Sequence, residues 1–302
     1  MFRVVSWSDL YRPGGLPLKN RLITIAIFIF TLGIFSYAQT PKSHWAKLDK
    51  SMIHYYDIGG SKSKNALVFI HGWTCSANFW KDNYNAFPGY RVIALDLIGH
   101  GQSDRPKAEY SMEYFAKSVE AVLKKAKIDE AVLVGHSMGT PVARQFYRLY
   151  PDQVLGLVIV DGPLRPFAPK AMMESFIAPM RTNYKEAGTK MIDGMLKPVK
   201  EEAEKKFIRD AMLATPDYVA VSAMDGMADD KIWGDDKINV PVLAIMAAGG
   251  MAANSKTEEN YRGIASDLDF QVWADVSHFI MMDAPARFNL MLKGFIDRKK
   301  LL

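Results

Sequence analysis

From residue 53 onward the chain alternates short apolar runs with longer amphipathic ones. Ile53 to Ile58 alternates in strand fashion and leads into Gly59-Gly60, which predicts a strand closed by a hairpin turn. Ala66-Leu67-Val68-Phe69-Ile70 is apolar throughout, the pattern of a strand buried on both faces of a parallel sheet. His71-Gly72-Trp73 follows, then a segment to Phe87 with helical potential. Arg91 to Leu95 reads as the next strand and opens into a glycine-containing loop from Asp96 to Asp104. Ser111 can cap a helix running to about Lys127, with Phe115, Val119, Val122 and Leu123 on one face. Ala131 to Val134 is strand-like and runs straight into Gly135-His136-Ser137-Met138-Gly139, followed by a helical stretch from Pro141 to Tyr150. Val154 to Val160 is another apolar strand, ending in Asp161-Gly162.

The rhythm then breaks. From Pro163 to about Asp236 no buried strand is predicted, only amphipathic helical segments rich in methionine: Met172, Met173, Met180, Met191, Met195, Met212, Met224 and Met227. The pattern resumes with a strand from Val240 to Met246, a helix from Ser255 to Ala265, a strand from Phe270 to Trp273, a loop bearing His278 and a final helix from Pro285. Alternating strand–helix units predict an α/β fold with a mostly parallel sheet and helices on both faces. Ligands in such sheets bind beyond the carboxyl ends of the strands. Residues 163–236 are expected to form a helical cap over those ends, inserted into one domain spanning 39–302.

Residues 1–38 stand apart. Lys19-Asn20-Arg21 precedes an uninterrupted apolar run from Leu22 to Phe35, and Ser36-Tyr37-Ala38 places small residues where a signal peptidase reads. This predicts an export leader cleaved before Gln39. The apolar run is short against the roughly 20 residues of a membrane span; left uncleaved, residues 22–38 would instead tether the body to a membrane. Four basic residues against Asp9 give this segment +3 of the chain's +5, leaving +2 for the other residues and no basic patch for nucleic acid. Cys75 is the lone cysteine, so no internal disulfide is expected, and a small buried side chain is the simplest role for it. No histidine or cysteine spacing suggests a metal site, no cofactor is implied, and no sequence feature reports oligomeric state.

The chemistry gathers at residues 135–139. A strand turning sharply into a helix with serine at the apex strains the serine backbone and lifts its hydroxyl above the sheet edge, and glycines two positions either side leave room for the close strand–helix approach. A serine hydroxyl is a weak nucleophile unless a base takes its proton. His278, on the loop after the last predicted strand, is the candidate base, a place that the resemblance given below also implies; His71 and His136 lie in backbone-critical motifs, and His44 and His54 before the core. His100, in a glycine turn, is a candidate for lining the pocket, whereas Asp96 to Asp104 otherwise reads as a structural loop. The oxyanion of a tetrahedral intermediate needs two backbone N–H donors, for which Met138, after the nucleophile, and Trp73, after the first buried strand, are the candidates. Lys197 to Lys206 reads as a solvated charged face.

Taken together, His71-Gly72-Trp73, the Asp96 to Asp104 loop, Gly135-His136-Ser137-Met138-Gly139 and Ser277-His278-Phe279 with Asp283-Ala284-Pro285 resemble the serine members of the α/β-hydrolase superfamily. The resemblance covers roughly residues 45 to 300. It implies an eight-stranded sheet and a Ser137–acid–His278 triad. The acid is where this chain departs: most relatives carry it just after the strand read here as Val240 to Met246, and that loop is Ala247-Ala248-Gly249-Gly250-Met251-Ala252-Ala253-Asn254, without a carboxylate. Asp161, at the end of a neighbouring strand, is the leading candidate; Asp225 or Asp229 in the cap, Asn254, or no acid at all are the alternatives. The resemblance implies a carboxylesterase-like serine hydrolase, and the methionine-rich cap favours a small apolar substrate. Lactone, amide, carbon–carbon or perhydrolytic chemistry on the same fold, and a catalytically weak protein that binds an apolar ligand, are the other readings.

Overall fold

The structure, a computed structural model, describes residues 41–59, 62–166, 168–250 and 256–302. The expected leader, the hairpin residue Gly60 and the candidate Asn254 lie outside the described residues. Among those described, no helix is long and apolar enough to cross a membrane.

Eight strands form one sheet: β1 (Ser43–Leu48), β2 (Ser51–Ile58), β3 (Asn65–Ile70), β4 (Val92–Leu95), β5 (Glu130–His136), β6 (Val154–Val160), β7 (Val242–Ala247) and β8 (Leu268–Trp273), in the order β1-β2-β4-β3-β5-β6-β7-β8. β2 is antiparallel to both β1 and β4, and every other pairing is parallel. The near-continuous apolar runs of β3 to β7 are buried along almost their whole length, because helices cover the sheet. These helices are α1 (Met112–Ala126), α2 (Gly139–Leu149), α7 (Thr257–Arg262), the short α8 (Ile280–Asp283) and α9 (Pro285–Lys299). Ser111 caps α1 by accepting a hydrogen bond from the Tyr114 N–H.

Three expectations are corrected. Gly59 ends β2, but β2 does not fold back onto β3: its partners are β1 and β4, and the hairpin lies at Asp49-Lys50, where Asp49 adopts φ 53°. The predicted helix before Phe87 is reduced to a 3₁₀ turn at Ala77–Trp80, whose first N–H donates to the Asp96 carboxylate at 2.7 Å. β7 begins at Val242 because Pro241 cannot donate to the ladder.

Four helices stand between β6 and β7: α3 (Lys170–Thr182), α4 (Tyr184–Leu196), α5 (Glu202–Leu213) and α6 (Asp217–Met227). Arg144 of α2 holds both ends of this insertion. Its guanidinium, 1% exposed, donates to the carbonyls of Leu164 and Gly234, and burial lowers its pKa to about 10. Trp73 Nε1 donates to the Ala220 carbonyl at 2.8 Å and Thr215 Oγ1 to the Thr74 carbonyl at 3.2 Å, tying α6 and its approach to the loop after β3.

Candidate active site

Three parallel strands deliver the central residues. Ser137 follows β5 with φ 52°, a left-handed conformation that a non-glycine residue adopts only where its surroundings enforce it. What enforces it is close packing. A Cβ on Gly135 would come 2.4 Å from the Gly139 carbonyl oxygen, and one on Gly139 would come 2.4 Å from that of Ile70. The Ser137 N–H donates to the Val160 carbonyl at 3.0 Å, so the turn is anchored to the end of β6. The next residue on β6 is Asp161, also left-handed at φ 43°, whose N–H donates to Ile245 of β7 at 2.8 Å.

Asp161 is 1% exposed and both carboxylate oxygens are engaged. Oδ2 lies 2.7 Å from His278 Nδ1, and Oδ1 accepts the Ala247 N–H at 2.9 Å. With Nδ1–H donating to the carboxylate, His278 Nε2 is left as an acceptor, the tautomer a base requires. Ser137, Asp161, His278 and Trp73 wall the same small cavity. No hydrogen bond joins Ser137 to His278 among the described residues; such contacts often tighten only once substrate is bound.

The two candidate oxyanion donors have matching properties. Among the described residues, neither the Trp73 N–H nor the Met138 N–H donates a hydrogen bond to another group. Met138 is also the N-cap of α2, where the helix dipole favours negative charge. Thr74, next to Trp73, adopts φ 57°, so the chain turns sharply there.

The His278 loop is held from several sides. Ser277 donates its N–H to Asp283, and its hydroxyl accepts the Phe279 N–H at 3.1 Å. His136 Nε2 lies 2.9 Å from the His278 carbonyl, and the two rings are 4.7 Å apart between centroids. Burial, reinforced by the neighbouring His278, drives the His136 pKa well below its ordinary value, so His136 is neutral and its Nε2–H donates. Sequence reasoning gave His136 only a place in a backbone motif, since nothing in the sequence links it to a loop 142 residues away.

The other candidates fall elsewhere. Asp225 pairs with Arg181 on the surface, and Asp229 accepts the Lys231 N–H at the end of the insertion. Neither hydrogen-bonds to His278. His100 lines neither the Ser137 cavity nor the groove beside it; it packs against His71 and Phe115, and burial lowers its pKa to about 3. Asp96 accepts from Ala77 N, Gln102 N and His54 Nδ1. Burial opposes its ionisation, but these bonds outweigh burial and hold its pKa below the usual carboxylate range. Cys75 is buried, which raises its thiol pKa. Of the insertion's methionines, Met173, Met191, Met195, Met224 and Met227 wall the Ser137 cavity, Met180 lines the neighbouring groove, Met212 is buried and Met172 is half exposed. Lys205 and Lys206 form exposed ion pairs with Glu202 and Asp210.

A second Ser–His–Asp chain escaped the sequence reading. Ser43 Oγ lies 2.9 Å from His54 Nε2, and His54 Nδ1 lies 2.8 Å from Asp96 Oδ2. Its serine sits on the extended edge strand β1 without a strained turn, so this chain reads as a tie between the β1–β2 hairpin and the Asp96 loop.

Among the described residues, no group of three or more histidine, cysteine, aspartate or glutamate side chains could hold a metal ion.

Residues 65–192 match the alpha/beta hydrolase fold family. The chain is 39% identical over 112 residues to a non-heme chloroperoxidase of Streptomyces lividans, a stretch covering 36% of this chain and only 40% of that relative. An esterase from Exiguobacterium antarcticum superposes with a TM-score of 0.74 at 19% identity, over 85% of this chain and 100% of that one. Est816, described as an N-acyl homoserine lactone degrading enzyme, superposes with a TM-score of 0.71 at 25% identity, over 83% and 100%. The strand order, the serine turn and the match of residues 65–192 agree on the α/β-hydrolase fold.

Proposed function

We propose that this protein is a serine hydrolase cleaving the carboxylic ester of a small apolar substrate through an acyl-enzyme. Ser137 Oγ attacks the carbonyl carbon as its proton passes to His278 Nε2. The carbonyl oxygen takes up the electron pair and is held by the Trp73 and Met138 N–H groups. Collapse breaks the bond to the alcohol, which leaves with the proton from His278. Water, deprotonated by the same imidazole, then attacks the Ser137 ester and releases the carboxylic acid. Asp161 keeps the imidazole in its tautomer and orientation and stabilises its cation.

The observation that carries this reading is the 2.7 Å contact from His278 Nδ1 to Asp161 within the cavity that Ser137 lines. The likeness to an esterase supports it. That contact also weighs against a weakly catalytic binding protein, whose motive was the missing carboxylate after β7. A lactone is a cyclic ester open to the same steps, and the likeness to Est816 favours it as the second reading.

The test is covalent labelling. A fluorophosphonate probe is expected to label the wild type at Ser137 and to leave Ser137→Ala unlabelled. A folded wild type that resists labelling would instead favour ligand binding. Nitrophenyl esters assayed beside a lactone and an amide then separate the substrate classes. The export reading of residues 1–38 predicts a secreted or periplasmic protein whose mature N-terminus is Gln39, read by N-terminal sequencing.

A further inference from the structure

Two unequal spaces meet at His278. The Ser137 cavity is small, about 60 Å³, and Trp73, Met224 and Met227 line it without reaching the groove. The groove beside it, between α3, α4 and the loops after β7 and β8, is about 510 Å³. Its lining is apolar or glycine except for Ser175, Lys190, Ser277 and His278. Phe176, Met191, Met195 and His278 border both spaces, whereas Ser137 and Trp73 border only the smaller.

We infer that the protein takes esters of a short acyl group with a bulky apolar alcohol, the acyl group in the Ser137 cavity and the alcohol in the α3–α4 groove. This rests on the serine-hydrolase reading and adds a direction to it. The imidazole that takes the Ser137 proton must return it to the departing oxygen, so the leaving group lies on the His278 side of the carbonyl. The carbonyl oxygen lies on the Trp73 and Met138 side. The groove touches His278 but not Ser137 or Trp73, so it receives what leaves and not what stays bonded to serine. Size then decides the substrate. At about 10–15 Å³ for each water-sized occupant, the small cavity holds about four to six non-hydrogen atoms, enough for a two- or three-carbon acyl group, and the groove holds several times more. A longer acyl chain would have to displace residues that wall this cavity, Met224 and Met227 among them.

Hexyl acetate and ethyl hexanoate test this directly, because they are isomers with the same formula and differ only in which side of the carbonyl carries the long chain. Acid release by the full-length protein, followed by pH-stat, is expected to give kcat/KM at least about ten-fold higher for hexyl acetate. Met227→Ala, which widens the acyl cavity, is expected to narrow that ratio. Equal rates, a preference for ethyl hexanoate, or no turnover of hexyl acetate by a protein whose Ser137 labels with fluorophosphonate would overturn the assignment of the two spaces and leave the hydrolase reading standing. Absence of both labelling and turnover would remove the hydrolase reading beneath it.

Discussion

A Cβ on Gly250 would lie 2.6 Å from Asp161 Oδ2, so the loop after β7 fits against the carboxylate only because it is glycine there. The last residue of β7 gives Asp161 its second partner, the Ala247 N–H at 2.9 Å. Where most relatives are expected to carry the triad acid, this chain has a backbone cradle, and the acid proposed above, Asp161, stands one strand over, at the end of β6. The absence of a carboxylate after β7 and the presence of Asp161 are therefore one arrangement seen from two strands.

Asp161→Asn is expected to lower kcat by up to about 10⁴-fold with little change in KM. An amide can donate to His278 Nδ1 and so favours the wrong tautomer without emptying the space. Asp225→Asn and Asp229→Asn, on carboxylates bonded to Arg181 and to the Lys231 N–H, are expected to keep wild-type turnover. Steady-state kinetics with one nitrophenyl ester decides between the three, and near-normal turnover by Asp161→Asn would exclude it as the orienting acid.

Gly250→Ala should act through Asp161. The added methyl group either displaces the carboxylate or lifts the loop that donates to it, and a kcat loss of at least about ten-fold is expected. If the effect runs through Asp161, adding Gly250→Ala to Asp161→Asn costs little more than Asp161→Asn alone. Fully multiplicative losses in the double variant would mean that Gly250 acts by another route.

Much of this site is legible from local pattern. Gly135 to Gly139 follow an apolar strand and precede a helix, and both facts lie within ten residues of Ser137. Met138 and Trp73 become candidates by their places beside that turn and after β3. What the sequence leaves open is every relation spanning strands. Asp161 and Asp225 are each a carboxylate near a structural break, and it is the β6–β7–β8 register that brings Asp161 to Gly250 and His278. His136 to His278 and Ser43 to His54 and Asp96 are likewise contacts between distant segments. The lost helix before Phe87 shows the same limit: its residues suit a helix, yet only the Ala77–Trp80 turn forms, with its first N–H on the distant Asp96 carboxylate.

His136→Phe removes the donor to the His278 carbonyl while keeping a ring in the packing. A neutral hydrogen bond of this kind contributes about 1 kcal/mol, so kcat is expected to fall about five-fold with KM unchanged. His136→Gln, which can still donate, should recover part of the loss. A KM effect without a kcat effect would reassign His136 to pocket shape.

Ser43→Ala separates the two Ser–His–Asp chains. As a tie on β1, Ser43 contributes about 0.5–1.5 kcal/mol to stability and nothing to turnover. Urea denaturation and fluorophosphonate labelling of the one variant read both. Residual labelling in Ser137→Ala that vanishes when Ser43→Ala is added would make Ser43 a second nucleophile instead.

Acid should unfold this protein more readily than its carboxylates alone would suggest. His71, His100 and His136 are fully buried, and burial lowers the pKa of each, to about 3 for His100. In the unfolded chain each titrates near about 6.5. Between the two values the unfolded state binds one more proton per histidine, so stability rises with pH up to about 6.5 and is lost as pH falls below it, by up to about 1.4 kcal/mol per pH unit for each. Glu204, whose pKa burial raises, works in the opposite sense and offsets up to one proton at and above its unfolded value. Asp96, held low, adds to the acid loss only below about 3.9. Urea unfolding at pH 7, 6, 5.5 and 5 is therefore expected to show a free energy that is nearly flat at the top and falls with a slope of about one proton or more at the bottom, set mainly by His100 and His136. His100→Asn, whatever its absolute stability, should lose about one proton of that slope. A wild type equally stable at pH 7 and pH 5 would mean that these histidines are not neutral in the folded protein.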